Sequence, residues 1–206
     1  MIPGASAILA FASTARAEIT GITYTTTSPM FGGASFGAVG QYEQLDGIVT
    51  GELDPGDERN EIIQDIKLAP RNTRGRVEYA MMFSLLKPID LSKSNHTLIY
   101  DVVNRGNKVI SGTLNVGGSA TAAGDGFLES QGFILLWSGW QGDVLPGGGR
   151  QVMTVVPVAH HHDGSSITGE VRQEYTLAAA TGTVFLAGSG GTATASIPTR
   201  TLDNSS

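Results

Sequence analysis

Between residues 98 and 143 the sequence reads LIYDVVNRGN and, beyond a stretch of small residues, GFLESQGFILLWSGWQGD. Two apolar runs, residues 98–103 and 133–137, flank a polar turn and a short helix-forming stretch. Strand, turn, helix and strand in that order open an α/β unit, because neighbouring parallel strands need a crossover and a helix usually supplies it. Leu98-Ile99-Tyr100-Asp101-Val102-Val103 hardly alternates, the pattern of a strand buried on both faces. Asn104-Arg105-Gly106-Asn107 breaks the run. Asp125 is placed to cap a helix through Phe127, Leu128 and Ser130, and Gly132 to end it in a left-handed conformation. A right-handed crossover is the expected connection.

Upstream, residues 18–26, 42–53 and 75–87 alternate apolar and polar positions, the period of half-buried strands. Asp54-Pro55-Gly56-Asp57 is a turn, and Pro88 ends an extended run by removing a ladder donor. Residues 58–68 are expected to form a strand, since Ile62, Ile63 and Ile66 are β-branched and follow a turn. After Pro146-Gly147-Gly148-Gly149, residues 151–159 and 167–177 return to β-like runs, and Phe185 and Leu186 can pin one more strand. Residues 188–195 read as flexible and residues 203–206 as a loose terminus. The expected fold is therefore α/β and β-rich: an N-terminal β region followed by a first strand-helix-strand unit that is incomplete as an α/β sheet.

The chain has 206 residues, 40% of them hydrophobic, enough for one domain with a sizeable core. Thirteen basic against nineteen acidic residues leave a charge of −6, with no basic stripe interleaved with aromatics, so nucleic acid is not an expected partner. Cysteine is absent, which excludes disulfides, a thiol nucleophile and thiolate metal sites. Residues 1–17 form a short apolar run ending in Ala15-Arg16-Ala17, a small-x-small pattern resembling a signal peptide, so a periplasmic or secreted location is expected. The remaining chain then divides into a β-rich region, 18–187, and a Gly/Ser/Thr-rich tail, 188–206. No later apolar run reaches the length of a membrane-spanning helix.

Gly33-Ala34-Ser35-Phe36-Gly37 matches G-x-S-x-G, but a β-like run follows where a nucleophile elbow requires a helix, so Ser35 reads as part of a Gly-rich bend. Trp140 and Gln141 leave the second apolar strand at its carboxyl end, where open α/β sheets gather ligand contacts, and are candidates to line a substrate pocket. Trp137 reads as core, and Asp143 as a turn cap or a partner of Arg150. His160-His161-His162-Asp163 offers two imidazoles on one face of an extended segment, but no third ligand is identifiable and Asp163-Gly164-Ser165-Ser166 is a turn signal. Asp54, Asp57 and Glu58 lack the spacing of a calcium loop. No metal site and no cofactor are expected.

Several short motifs in order resemble the bacterial "alpha/beta hydrolase domain" family of large exported, esterase-like proteins. They are Phe36-Gly37 with Gly40-x-Tyr42-Glu43, Gly51-Glu52-x-Asp54-Pro55, Asp65-Ile66-x-Leu68-Ala69-Pro70-Arg71-Asn72, Gly75-x-Val77-Glu78-Tyr79 and Asn104-Arg105-Gly106-Asn107. Further along come Gly126-Phe127-Leu128, Gly132-Phe133, Trp137-Ser138-Gly139-Trp140-Gln141-Gly142-Asp143, Pro157-Val158-Ala159 and Gly169-Glu170-Val171-Arg172. The resemblance implies a serine hydrolase of small-molecule carboxylic esters whose nucleophile, acid and histidine lie beyond the region covered here. The residues themselves show no assembled triad within these 206 positions, so no turnover by this chain alone is expected. The resemblance places Asn104, Arg105 and Gly106 where the fold draws one oxyanion donor from a backbone N–H; the other reading, which holds for this chain alone, is a plain loop whose Asn and Gly satisfy turn geometry and whose Arg105 makes an ion pair. The competing expectation is a free-standing β-rich binding or structural module without catalysis.

Overall fold

The computed structural model describes residues 18–168, 183–185 and 194–196. They form a β-rich domain built on a mixed, open seven-stranded sheet, with only two short helices. Strand β1 (Glu18–Pro29) pairs antiparallel with β3 (Gly40–Leu53), and β3 with β4 (Val77–Pro88). Strand β5 (Leu98–Asp101) crosses over and lies parallel to β6 (Ile134–Ser138), which pairs antiparallel with β4. The order along the sheet is β1-β3-β4-β6-β5, with β2 (Ser35–Phe36) on β3 and β7 (Met153–Val155) on β4. Strands β8 (Thr183–Phe185) and β9 (Thr194–Ser196) pair antiparallel with each other. Thr194 and Ala195, expected in a flexible segment, thus belong to β9. The signal-like segment 1–17 and most of the run 167–177 lie outside the described residues.

The crossover carries two helices, α1 (Ile110–Leu114) and α2 (Phe127–Ser130), where the sequence predicts one. The reason for α1 is tertiary. Asp101, at the end of β5, is buried, and its Oδ2 accepts from the amides of Val109 and Ile110 at 2.9 Å each. A carboxylate there satisfies donors that a helix start leaves open. Helix α2 follows the expected signals: Gly126 enters it with φ 68°, Asp125 Oδ1 accepts from the Phe127 amide at 3.3 Å, and Gly132 leaves it with φ 76°.

Both helices sit over one face of the sheet. Tyr42, Leu86, Val103, Leu128, Leu135 and Trp137 form the core there, with Phe36, Ile99, Ile110 and Phe133 packed around it. The register places Asp46, Ser84, Trp137 and Asp101 in one row across β3, β4, β6 and β5 on this face. One position away, and so on the opposite face, Leu45, Leu85, Leu136 and Tyr100 form the matching row. No helix of the described residues covers that row.

Three expectations need correction. Residues 98–103 are not buried on both faces: Leu98, Tyr100 and Val102 are 50%, 47% and 57% exposed, because β5 is a sheet edge and none of the described helices covers its second face. Residues 18–26 likewise form an exposed edge strand, with Ile19, Ile22 and Tyr24 open to solvent, rather than a half-buried one. Residues 58–68 are not a strand but a loop with two 3-10 turns, Glu58–Asn60 and Ile66–Leu68. Asp57 accepts from the Arg59 amide at 3.0 Å and Asn60 Nδ2 donates to the Asp54 carbonyl at 2.8 Å; such local bonds compete with a ladder.

Glu129 on α2 is buried, with Oε2 accepting from Asn115 Nδ2 at 2.8 Å and Oε1 without a donor among the described residues. Burial first, and the charge of Asp125 to a lesser degree, pushes its carboxyl pKa up. The folded protein therefore binds this proton more tightly than the unfolded chain, whose Glu titrates near 4.3. The contribution is full below that value and is lost as pH rises through the raised folded pKa. Glu129→Gln is expected to flatten this part of the stability profile and to be relatively more stable near neutrality than in acid. Urea unfolding across the pH range checks it, and a variant whose profile parallels the parent would refute it.

Candidate functional site

The carboxyl ends of the parallel strands β5 and β6 carry the loops 104–107 and 139–143, and the fold draws them together. Asn104 and Asn107 exchange both backbone hydrogen bonds at 3.0 Å, closing a tight loop. Arg105 and Gly106 at its tip take positive φ, 51° and 82°. The Arg105 amide donates to Gln141 Oε1 at 3.0 Å, and its guanidinium Nη1 to both carboxylate oxygens of Asp143 at 2.7 Å. Trp140 Nε1 donates to the Val103 carbonyl at 3.0 Å. Hence Arg105 is brought to the same end of the sheet as Trp140 and Gln141, more than thirty positions further along the chain.

These contacts divide the candidates. The Asn104 amide is committed to Asn107 and the Arg105 amide to Gln141, whereas the Gly106 amide has no acceptor among the described residues. Gly106 is buried, and its carbonyl accepts from the Gln151 amide at 2.8 Å. A side chain there would meet Arg150 Cβ at 2.9 Å and the Gln151 carbonyl at 3.0 Å, so glycine is required on steric as well as conformational grounds. Asp143 pairs with Arg105, not Arg150, whose Nη1 donates to the Leu145 carbonyl; the Arg105 guanidinium holds its carboxyl below the usual range. Trp137 is core, as expected. Trp140 is 52% exposed.

Ser35 is exposed in β2, paired with Gln41, and Gly37 turns the chain directly into β3. No helix follows it. The histidines 160–162 are exposed, with His160 Nδ1 beside the Val158 carbonyl, and Asp163 accepts from the Ser165 amide in the expected turn. Among the described residues no histidine ring is hydrogen-bonded to a serine or a carboxylate, and no cluster of three His, Asp or Glu side chains forms a metal cage. No described helix is long and apolar enough to cross a membrane.

Sequence reasoning missed Asp101 and Lys108. Asp101 Oδ2 also accepts from Trp137 Nε1 at 2.6 Å, so one carboxylate joins β5, β6 and α1. Its signal was a lone acid inside an apolar strand, which is seldom tolerated without a full set of donors. Lys108 lies over the Trp137 ring, 4.6 Å from its centroid, and donates to Gln44 Oε1 at 2.9 Å. Burial lowers its pKa. No family model, curated protein or solved structure matches this sequence.

Proposed function

We propose that this chain is the N-terminal part of an exported serine α/β-hydrolase acting on carboxylic esters, inactive without the segment that carries the nucleophile and histidine. The reading rests above all on the Gly106 amide, without an acceptor among the described residues and set at the carboxyl end of a parallel strand whose outer edge no described strand pairs. Strand β6 returns to the inner side of β5, so a further parallel strand would add to the outer edge of β5 and reverse the direction of growth. Ligands of open α/β sheets bind beside such reversals, at the carboxyl ends of the strands. Gly106 would supply one oxyanion donor, with Asn104 and Arg105 fixing its loop, and Trp140 and Gln141 would border the ester. The apolar row Leu45, Leu85, Leu136 and Tyr100 is the face that a second helical layer would cover in a completed doubly wound sheet.

The 206-residue protein is expected to hydrolyse p-nitrophenyl butyrate no faster than buffer, and the transcript downstream of codon 206 to encode G-x-S-x-G followed by an acid and a histidine. Turnover by the present chain that Ser35→Ala abolishes would overturn the reading, as would a downstream sequence lacking the nucleophile motif in every frame. In the completed enzyme, loss of one oxyanion donor is expected to lower kcat by about 10²–10³-fold.

A further inference from the structure

On the helix-covered side of the sheet, beside the loop 104–107, lies a cavity of about 660 Å³, within the range of small-molecule sites. Its polar wall is a continuous chain of hydrogen bonds. Lys108 donates to Gln44, Gln44 Nε2 to both oxygens of Asp46 at 2.9 Å, Ser84 Oγ to Asp46, and Gln151 Nε2 to Ser84 Oγ at 3.0 Å. Since the Ser84 hydroxyl proton goes to Asp46, the Gln151 amide must donate to Ser84. Its Oε1 is left buried without a donor among the described residues. That oxygen only accepts, so it takes no part in holding a carboxylate.

The charges are unequal. Lys108 and Arg150 line the cavity, and neither has an ion-pair partner among the described residues. Lys108 uses one donor on a neutral amide, and Arg150 Nη1 reaches only the Leu145 carbonyl at 3.3 Å. Asp46 is the single carboxylate of the lining, and its oxygens are occupied by Gln44, Ser84 and Thr26. Two cations against one carboxylate leave the lining with a net positive charge of one on a protein of net charge −6, which suits an anion. Met30 and Met82 supply an apolar wall that adapts to varied shapes.

We infer that this cavity binds a small organic acid, its carboxylate held by Lys108 and Arg150 and its short apolar body lying against Met30 and Met82. Nothing in the inference depends on the esterase reading, since every group belongs to the described chain and the contact is non-covalent.

Calorimetric titration of the 206-residue protein with hexanoate tests it, alongside hexanol and inorganic phosphate. Hexanoate is expected to bind saturably at one site, with hexanol and phosphate each at least about tenfold weaker, a difference of about 1.4 kcal/mol. Lys108→Met is expected to weaken hexanoate by about tenfold or more, and Arg150→Gln by several-fold, in line with removing one charge-assisted contact. Arg150 is exposed, so its replacement keeps the fold even if loss of the Lys108 contact with Trp137 does not. Absence of hexanoate binding, phosphate binding as tightly as hexanoate, or hexanoate affinity unchanged in Arg150→Gln would each overturn the inference. Catalytic inactivity would leave it standing, so its failure and that of the esterase reading are separable.

Discussion

Asp101→Ala is expected to lower the unfolding free energy by about 3–5 kcal/mol, the summed cost of leaving several donors without their acceptor. One carboxylate oxygen accepts from the Trp137 indole at 2.6 Å and from the amides of Val109 and Ile110 at 2.9 Å. Removing it leaves three donors unpaired, two of them at the start of α1, and each buried orphan costs about 1–3 kcal/mol. Helix α1 has five residues and no side-chain cap of its own. So short a helix does not persist without such support. Asp101→Asn keeps one acceptor oxygen in nearly the same place, and a loss well below that of alanine is expected. Urea denaturation of the three proteins checks the ranking. Near-equal stability of Asp101→Ala and the parent would mean that the carboxylate does not clasp the crossover.

Gly139→Ala is expected to cost about 2–3 kcal/mol, at the upper end of overpacking penalties. The Gly139 amide donates to the Met82 carbonyl, and the Met82 amide to the Val152 carbonyl, both at 2.9 Å. A Cβ on Gly139 would press into the Val152 backbone, with its Cα only 2.7 Å away. Backbone cannot turn aside as a side chain does, so the segment leading into β7 must shift. The neighbouring bond from the Gln151 amide to the Gly106 carbonyl would be disturbed with it, coupling this position to the candidate site. Gly112→Ala in α1 is the control, because its new methyl group meets nothing nearer than 3.4 Å. It is expected to be neutral, or stabilising by up to about 1 kcal/mol. A Gly139→Ala protein no less stable than Gly112→Ala would show that β7 yields freely.

Much of the fold was legible where one segment carried its own signal. The turn at 54–57, the end of β4 at Pro88, helix α2 between Asp125 and Gly132, and the crossover from β5 to β6 all rest on local chemistry: capping, left-handed glycine, missing donors and apolar runs. The residues 58–68 were not legible, because Asp57 and Asn60 form local bonds that outweigh a β-branched composition. In the candidate site, the types and order of Asn104, Arg105, Gly106, Trp140 and Gln141 could be picked out. That only the Gly106 amide stays free could not, since the acceptor for Arg105 lies 36 residues away.

Alone, the sequence determined the period of the strands, the breaks between them, the absence of thiol chemistry and the acidic balance, because these depend on residue type and near neighbours. The tertiary structure decided what depends on register and on which layers are present. It aligned Asp46, Ser84, Trp137 and Asp101 across four strands, gathered Lys108 and Arg150 around one cavity, and left Leu98, Tyr100 and Val102 open on an edge strand. An apolar run says that a strand is suited to burial on both faces; only the arrangement of the other elements determines whether anything covers them.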